Sequence, residues 1–170
     1  MAEQEMKEVL QRLSALEAKA KVTEDLEQIK RLTERLINAH YNMSNVEEEL
    51  NCYSEEAVLD TGAVLAGAKP LKGKAQIAEF LKPRLPKDIP PMAMPTKMAS
   101  FLVHPHITLD GDKAKGNWLL YHMYCFTTTY QSLYWTQYVG ELEYVKENGQ
   151  WKVSYTKMAP RIGPPHPKRE

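Results

Sequence analysis

The chain has 170 residues, of which 43% are hydrophobic and 26% are charged, and its 22 Lys and Arg residues balance its 22 Asp and Glu residues. This length predicts one domain with an extension and allows a buried core. No segment stays apolar over the roughly 18 residues of a membrane span, and the acidic N-terminus lacks a signal peptide's basic region. We therefore expect a cytoplasmic protein. The zero net charge argues against nucleic acid as a partner, because duplex binding needs an excess of Lys and Arg.

The first fifty residues have helical periodicity. Five apolar residues at alternating spacings of three and four predict a short coiled coil, or an amphipathic helix that packs on a partner: Met6, Val9, Leu13, Leu16 and Ala20. Thr23 is followed by two acidic residues, which is the pattern of a helix N-cap, so a second helix is predicted to begin there. Its apolar stripe consists of Leu26, Ile29, Leu32, Leu36 and Ile37. A third, short helix is predicted over residues 46–53.

From residue 57 the pattern changes to strands. Residues 57–59 predict a strand, and the apolar stripe after Gly73 predicts a helix that ends at Pro83. Residues 83–98 are too rich in proline for regular structure. Four further strands are predicted at about 98–109, 113–127, 133–146 and 151–157. Asx/Gly turns at 110–112 and 147–149 join the first pair and the last pair.

Helices followed by an antiparallel meander indicate an α+β fold. We expect a strongly curved, mostly antiparallel sheet wrapped around the N-terminal helices, giving a cone-shaped α+β barrel that encloses a pocket. The predicted organisation is an N-terminal helical extension (1–22), the barrel domain (23–159) and an irregular Pro-rich tail (160–170).

Several stretches of the sequence carry a resemblance to a known family. They are residues 10–17, 29–41 and 53–58, the motif Phe101-Leu102-x-x-Pro105-x-Ile107-x-Leu109-Asp110-Gly111-Asp112-x-Ala114-x-Gly116-x-Trp118, and Asn148-Gly149-x-Trp151-Lys152-Val153. Together they resemble SnoaL-like proteins of the nuclear-transport-factor-2-like superfamily over about residues 10–160. The resemblance implies the fold and dimerisation. It leaves the activity open, because this fold hosts dehydratases, isomerases, polyketide cyclases, dehydrochlorinases and non-catalytic binding modules.

Two positions depart from the catalytic pattern that the resemblance implies. In scytalone dehydratase and bile-acid dehydratase-like proteins, an Asp near the end of the long helix works with a His on the strand before the Asp-Gly-Asp turn. The corresponding residues here are Asn42, which follows Tyr41, and Ser100. An amide cannot take a proton at neutral pH, and a serine without an adjacent base is a poor base. The family mechanism is therefore not expected to hold unchanged, and Asn42 has capping of the helix as an alternative role.

His122 is the remaining candidate base. If the strand 113–127 is regular, Trp118, Leu120, His122 and Tyr124 share one face, and the resemblance implies that this face turns inward. A histidine with a pKa near neutrality among tyrosines can abstract a proton α to a carbonyl or protonate a leaving hydroxyl. The predicted catalytic residues are His122, Tyr41 and Tyr124, and the predicted substrate-binding residues are Asn42, Asp60, Ser100, Trp118, Tyr138 and Met94.

These candidates have structural alternatives. His122 and the tyrosines can be hydrogen-bonded core residues, and Trp118 can be a core anchor rather than a pocket wall. Asp60 either supplies the missing carboxylate or initiates a turn before Gly62. The loop that contains Met94 is either an apolar lid over the cavity or an oligomer contact.

Metal and disulfide chemistry are not indicated. Cys52 and Cys125 have no CxxC spacing and predict reduced core thiols. His104 and His106 would point to one side of a regular strand, yet the further ligands of a metal site are missing. We expect them to lie on a solvated strand near a dimer surface and expect no metal.

The sequence therefore predicts a pocket protein for a hydrophobic small molecule of aromatic, polyketide-like or steroid-like character. If it is an enzyme, it is a dehydratase, isomerase or cyclase without a cofactor, since the sequence has no nucleotide-binding loop or nucleophile elbow. The alternative is a non-catalytic ligand-binding or assembly module, which Asn42 and Ser100 favour. Either form is expected to be a homodimer or a higher homo-oligomer.

Overall fold

The computed structural model describes residues 2–42, 45–65, 67–82, 97–125 and 133–162. A long helix continues directly into one turn of π-helix (Asn38–Asn42), and two short helices and six strands follow. The helices are α1 (Ala2–Ile37), α2 (Val46–Cys52) and α3 (Lys74–Leu81), and the strands are β1 (Tyr53–Asp60), β2 (Leu71–Lys72), β3 (Lys97–Asp110), β4 (Lys113–Cys125), β5 (Leu133–Glu147) and β6 (Gln150–Ile162).

The six strands form one mixed sheet in the order β2-β1-β6-β5-β4-β3. Only the β1–β6 pair is parallel among the described pairs, and the others are antiparallel. Helix α1 contacts both β3 and β6, which lie three places apart in this order, so the sheet curves around the helix. Within the described strands, β2 and β3 each pair on one side only, so the sheet curves without closing. The predicted α+β cone is confirmed.

Helix α1 runs without interruption through Thr23, so the prediction that a second helix begins there is wrong. The Thr23 hydroxyl donates a hydrogen bond to the Lys19 carbonyl at 3.1 Å, one turn earlier in the same helix. Residues 2–37 contain no glycine or proline that would interrupt a helix. The carboxylate of Asp25 accepts hydrogen bonds from Lys146 Nζ at 2.5 Å and from Trp151 Nε1 at 2.8 Å. This acidic residue therefore attaches α1 to the sheet instead of beginning a helix.

The four long predicted strands are confirmed, and their bounds differ at the ends. Strand β6 continues to Ile162, five residues past the predicted end and into the segment predicted as an irregular tail. The short strand β2 was not predicted. Both predicted turns are present, and Gly111 (φ 58°), Asn148 (φ 51°) and Gly149 (φ 77°) adopt the left-handed conformation that tight hairpins require.

The core lies between one face of α1 and the inner face of the sheet. Its large side chains include Ile29, Leu32, Leu36, Trp118, Leu142, Tyr144, Trp151 and Val153. The Trp118 indole donates a hydrogen bond to the Tyr144 hydroxyl at 2.9 Å, and the Thr33 hydroxyl lies 2.8 Å from the same oxygen. A Cβ atom on Gly116 would lie 2.8 Å from Trp118 Nε1, so only glycine fits beside this buried network.

The N-terminal part of α1 lies outside this core. Every described side chain from Glu3 to Glu24 is exposed, and Asp25 is the first buried residue of the helix. None of the helices that the structure describes has an apolar stretch long enough to cross a membrane.

Strand β3 contains a bulge. Val103 pairs with Leu119 and His106 pairs with Asn117, so His104 and Pro105 together lie opposite a single residue of β4. His104 has φ 52°, in the left-handed region. The expectation that His104 and His106 point to one side requires a regular strand between them. The bulge interrupts that regular strand. Both side chains are exposed, as expected for a solvated segment.

Candidate functional site

The inner face of β4 carries His122. Trp118, Leu120 and His122 are all buried, so the predicted shared inward face is confirmed for these three residues. The backbone of Tyr124 continues the strand, whereas its side chain lies outside the described residues. Ser100 is directly opposite His122 on β3, and its Oγ lies 2.7 Å from His122 Nδ1.

Two tyrosines pack against the His122 ring. The centroid of the Tyr41 ring lies 4.2 Å from that of His122, with the planes tilted by 56°. Tyr138, on β5, meets His122 edge-on at 5.2 Å. The structure therefore brings together four residues that the sequence singled out: His122, Tyr41, Ser100 and Tyr138.

His40 adds a second imidazole to this group. Its ring lies edge-on to Tyr41 with 4.2 Å between centroids, so Tyr41 contacts both histidines. His40 Nδ1 is 2.6 Å from Oε1 of Glu49, whose side chain is only 2% exposed. A buried carboxylate needs a partner to offset its lost hydration, and the imidazole provides one.

The turn of π-helix and helix α2 position this pair. The π-helical turn carries both His40 and Tyr41, and single π-helical turns occur frequently at functional sites. The amide of Asn45 donates to the Ala39 carbonyl at 2.8 Å, which ties the start of α2 to this turn. The Asn45 side chain caps α2 by accepting from the Glu48 amide at 3.0 Å. Helix α2 begins at this cap and presents Glu49 to His40.

Burial changes the protonation of the site. Desolvation, together with the nearby His40, lowers the pKa of His122 to about 4, because burial disfavours the charged form and two imidazolium charges would repel. His122 is therefore neutral at pH 7, and the Ser100 hydroxyl contacts one of its two ring nitrogens. Burial also raises the pKa of Tyr53, and the carboxylate of Glu49 adds to this effect.

A small cavity adjoins the His40–Glu49 pair. Its volume is about 50 Å³. A cavity of this size holds water, whereas sites for drug-sized ligands measure about 300–1,000 Å³. Its polar wall is formed by His40, Tyr41 and Glu49, and its apolar wall includes Ile37, Leu59 and Met158. Tyr41 thus lines the cavity and also packs on His122.

The family of this chain is established by comparison with known families. A profile of the SnoaL-like domain matches residues 21–157, which include most of the chain. The chain belongs to the SnoaL-like domain family. The resemblance seen in the sequence is thereby confirmed. A search of curated proteins found no match.

Solved structures share the fold of this SnoaL-like domain at low sequence identity. A protein of Novosphingobium aromaticivorans, provisionally assigned as a scytalone dehydratase, has a TM-score of 0.69 and 12% identity over 89% of this chain and 93% of its own. A hexachlorocyclohexane dehydrochlorinase (LinA, type 2) has a TM-score of 0.66 and 13% identity over 89% and 95%. A nuclear-transport-factor-2-like protein from Novosphingobium aromaticivorans, with a cystatin-like fold, has a TM-score of 0.65 and 18% identity over 85% and 87%.

Helix α2 of this SnoaL-like domain carries a buried carboxylate, that of Glu49, beside the π-helical turn. Glu49 was not singled out from the sequence, and neither was His40. A signal for Glu49 was present, because it lies three residues after Val46 and three before Cys52, on the face of α2 that packs on the core. A carboxylate on such a face is unusual and marks a specific buried partner. The π-helical turn had no comparable signal.

Asp60 and Trp118 have structural roles in the described fold. Asp60 accepts hydrogen bonds from the Gly62 amide at 2.9 Å and from the Tyr155 hydroxyl at 3.2 Å, which is the turn arrangement considered as its alternative. The structure does not bring it to His122. Trp118 shares the inner face of β4 with His122 but packs in the core.

The remaining predicted residues lie partly or wholly outside the described structure. Met94 and the side chain of Asn42 are not among the described parts, although Asn42 is the last residue of the π-helical turn. Among the side chains that are described, no three His, Cys, Asp or Glu residues are grouped as a metal site would require.

Proposed function

We propose that this protein is a cofactor-independent lyase or isomerase that moves a proton on a small apolar molecule, with His40 and Glu49 as its base. The contact that supports this most directly is the 2.6 Å approach of the buried Glu49 carboxylate to His40 Nδ1. A carboxylate at Nδ1 holds the imidazole in the tautomer whose Nε2 accepts protons, and it stabilises the imidazolium that forms. The dehydratase and dehydrochlorinase among the structural relatives favour an elimination.

The reaction that fits this pair best is loss of water from a β-hydroxy carbonyl compound. Nε2 of His40 takes the proton from the carbon next to the carbonyl, and the electron pair of that C–H bond forms the new double bond. The C–O bond breaks, and the imidazolium returns its proton to the leaving hydroxyl as water. No oxidant or cofactor is needed, and the cavity of about 50 Å³ beside His40 has room for the released water.

His122 has a different role in this proposal from the one expected from the sequence. With a pKa of about 4 it is a weak base at neutral pH, so it is not assigned the removal of the proton. A neutral imidazole in a buried site is well suited to hydrogen-bond the substrate oxygen on which negative charge develops. We assign this role to His122, with Ser100 orienting its ring and Tyr41 packed on it.

A non-catalytic binding module is the second candidate. The observation in its favour is the presence of Asn42 and Ser100 where catalytic relatives have Asp and His, since the small cavity beside His40 favours neither candidate. In this case the His40–Glu49 pair would serve only to offset the burial of a carboxylate.

Dehydration of the aldol adduct of benzaldehyde and acetone separates these candidates. The adduct is a β-hydroxy ketone whose dehydration forms a conjugated enone that ultraviolet absorbance detects. A second probe is uptake of deuterium next to its carbonyl in heavy water, followed by NMR. We expect Glu49→Gln and His40→Gln to lower both rates by about 100-fold or more, the usual contribution of general-base catalysis.

Glu47→Gln is the matched control, since it removes an exposed carboxylate from the same helix, α2. We expect it to keep the wild-type rates to within about twofold, as a surface change should. Equal rates in wild type and Glu49→Gln would overturn the catalytic assignment. Binding of the adduct in a thermal-shift assay, with neither deuterium uptake nor dehydration, would favour the binding module.

A further inference from the structure

The N-terminal part of α1 exposes a regular apolar seam. Met6, Val9, Leu13 and Leu16 are 60%, 58%, 50% and 63% exposed, although such side chains are normally buried. They recur at alternating spacings of three and four, and Ala20 continues the series. From Met6 to Ala20 the seam is about 21 Å long at the α-helical rise per residue. This is the a/d pattern by which one helix packs against another.

The charges beside the seam specify the orientation of a partner helix. With Met6 and Leu13 at a positions, the second and third g positions carry positive charges and the second and third e positions carry negative charges, whereas the first g and e positions are Glu5 and Leu10. In a parallel pair each g residue faces the e residue of the next heptad in the other chain, so the charges attract. In an antiparallel pair g faces g and e faces e, so like charges meet. The positive g residues are Arg12 and Lys19, and the negative e residues are Glu17 and Glu24.

We propose that the N-terminal part of α1 forms a parallel, in-register, two-stranded coiled coil with the same segment of a second copy of this chain. A second copy supplies both requirements at once: an identical apolar seam, and negative e residues opposite Arg12 and Lys19. The segment has little more than two heptads, too few for a stable coiled coil in isolation. It therefore acts together with the domain to which the continuous helix α1 attaches it.

Cysteine cross-linking of the full chain tests this arrangement. A parallel, in-register pair brings the two copies of residue 6 together, whereas an antiparallel pair sets a positions against d positions and brings residue 9 close to residue 20. We expect Met6→Cys to form a covalent dimer under mild oxidation, at least about ten times more than Glu8→Cys, whose position c points away from the seam. Wild type is run alongside to measure any contribution of the native cysteines.

A charge exchange tests the pairing of g with e. In the Met6→Cys protein, Arg12→Glu places two negative charges opposite each other and should lower cross-linking and weaken self-association about tenfold in equilibrium sedimentation. Arg12→Glu combined with Glu17→Arg should restore both, since the exchanged pair attracts again. Both side chains are exposed, so circular dichroism should show the same fold in all variants.

Three results would overturn the proposal. One is equal cross-linking of Met6→Cys and Glu8→Cys, which would indicate random collision. Another is cross-linking between Val9→Cys and Ala20→Cys in a mixture, without the Met6→Cys homodimer, which would indicate an antiparallel pair. The third is a wild-type chain that remains monomeric at tens of micromolar, in which case the seam serves a different protein.

Discussion

Replacing His122 by glutamine changes how the stability of the protein depends on pH. His122 is 4% exposed in the folded protein, and burial together with His40 lowers its pKa to about 4. In the unfolded chain a histidine keeps its ordinary pKa of about 6.5. Between these values the unfolded chain binds a proton that the folded protein does not bind. The wild type therefore loses stability as the pH falls through this range.

The size of this loss follows from the two pKa values. A gap of about 2.5 pH units corresponds to about 3 kcal/mol of unfolding free energy, most of which is lost by about pH 4.5. Glutamine can still contact Ser100 but does not titrate. Relative to the wild type, we therefore expect the unfolding free energy of the variant to rise by about 2 to 3 kcal/mol between pH 7.5 and pH 4.5.

Urea unfolding of both proteins at the two pH values measures this change. The other titrating groups are common to both, so their contributions cancel in the difference. His106→Gln, which replaces an exposed histidine, is the control and should follow the wild type at both pH values. The reasoning is refuted if wild type and His122→Gln lose stability in parallel, or if NMR finds that the His122 imidazole titrates near pH 6.5.

Three further predictions concern the core. Although burial raises the pKa of Asp25, hydrogen bonds from Lys146 and Trp151 bring it below its ordinary value. Asp25→Asn should thus lower the unfolding free energy by about 2 kcal/mol in urea unfolding at pH 7. This difference from the wild type should fade as the pH drops below about 4. Equal stability of the two proteins at pH 7 would contradict the prediction. Gly116→Ala should cost about 1 to 3 kcal/mol in thermal unfolding, because its new Cβ meets the Trp118 ring. Gly140→Ala should cost less, because the flexible end of the Met158 side chain can move away from the new Cβ. A larger cost for Gly140→Ala than for Gly116→Ala would contradict this account. Burial raises the pKa of the Cys52 thiol to about 11, so little of it is the reactive thiolate at pH 8. Alkylation of Cys52 by iodoacetamide, followed by mass spectrometry, should be at least about 100-fold slower in the folded protein than in urea. Equal rates would show that the thiol is accessible.

The strands were predictable because their signals are local. Because side chains alternate along a strand, Trp118, Leu120 and His122 share one face of β4, which the family resemblance places inward. The Asn148-Gly149 turn sets the pairing of the strands on either side. Neither signal depends on residues far away in the chain. The sheet, and the residues Ser100, Tyr41 and Tyr138 around His122, could therefore be predicted from the amino-acid sequence.

Other features depend on distant partners or on rare backbone geometry. Asp25 after Thr23 looks like the start of a helix, and its true role requires Lys146, which is 121 residues away. His40 and Glu49 come together because the π-helical turn carries His40 and the hydrogen bond from Asn45 to Ala39 ties the start of α2 to this turn. The regular 3.6-residue period used to read helices from sequence does not describe such a turn. The most polar part of the candidate site was missed for this reason.

The bulge in β3 has a consequence for aggregation. Within the described sheet, β3 is an end strand that pairs only with β4, and such an edge is a template for strands of other molecules. His104 and Pro105 interrupt the regular backbone at the middle of this edge, and proline has no N–H to donate. A foreign strand could pair over only a few residues on either side of the bulge. The geometry that separates the two histidines thus also protects the chain against fibril-like growth from this edge.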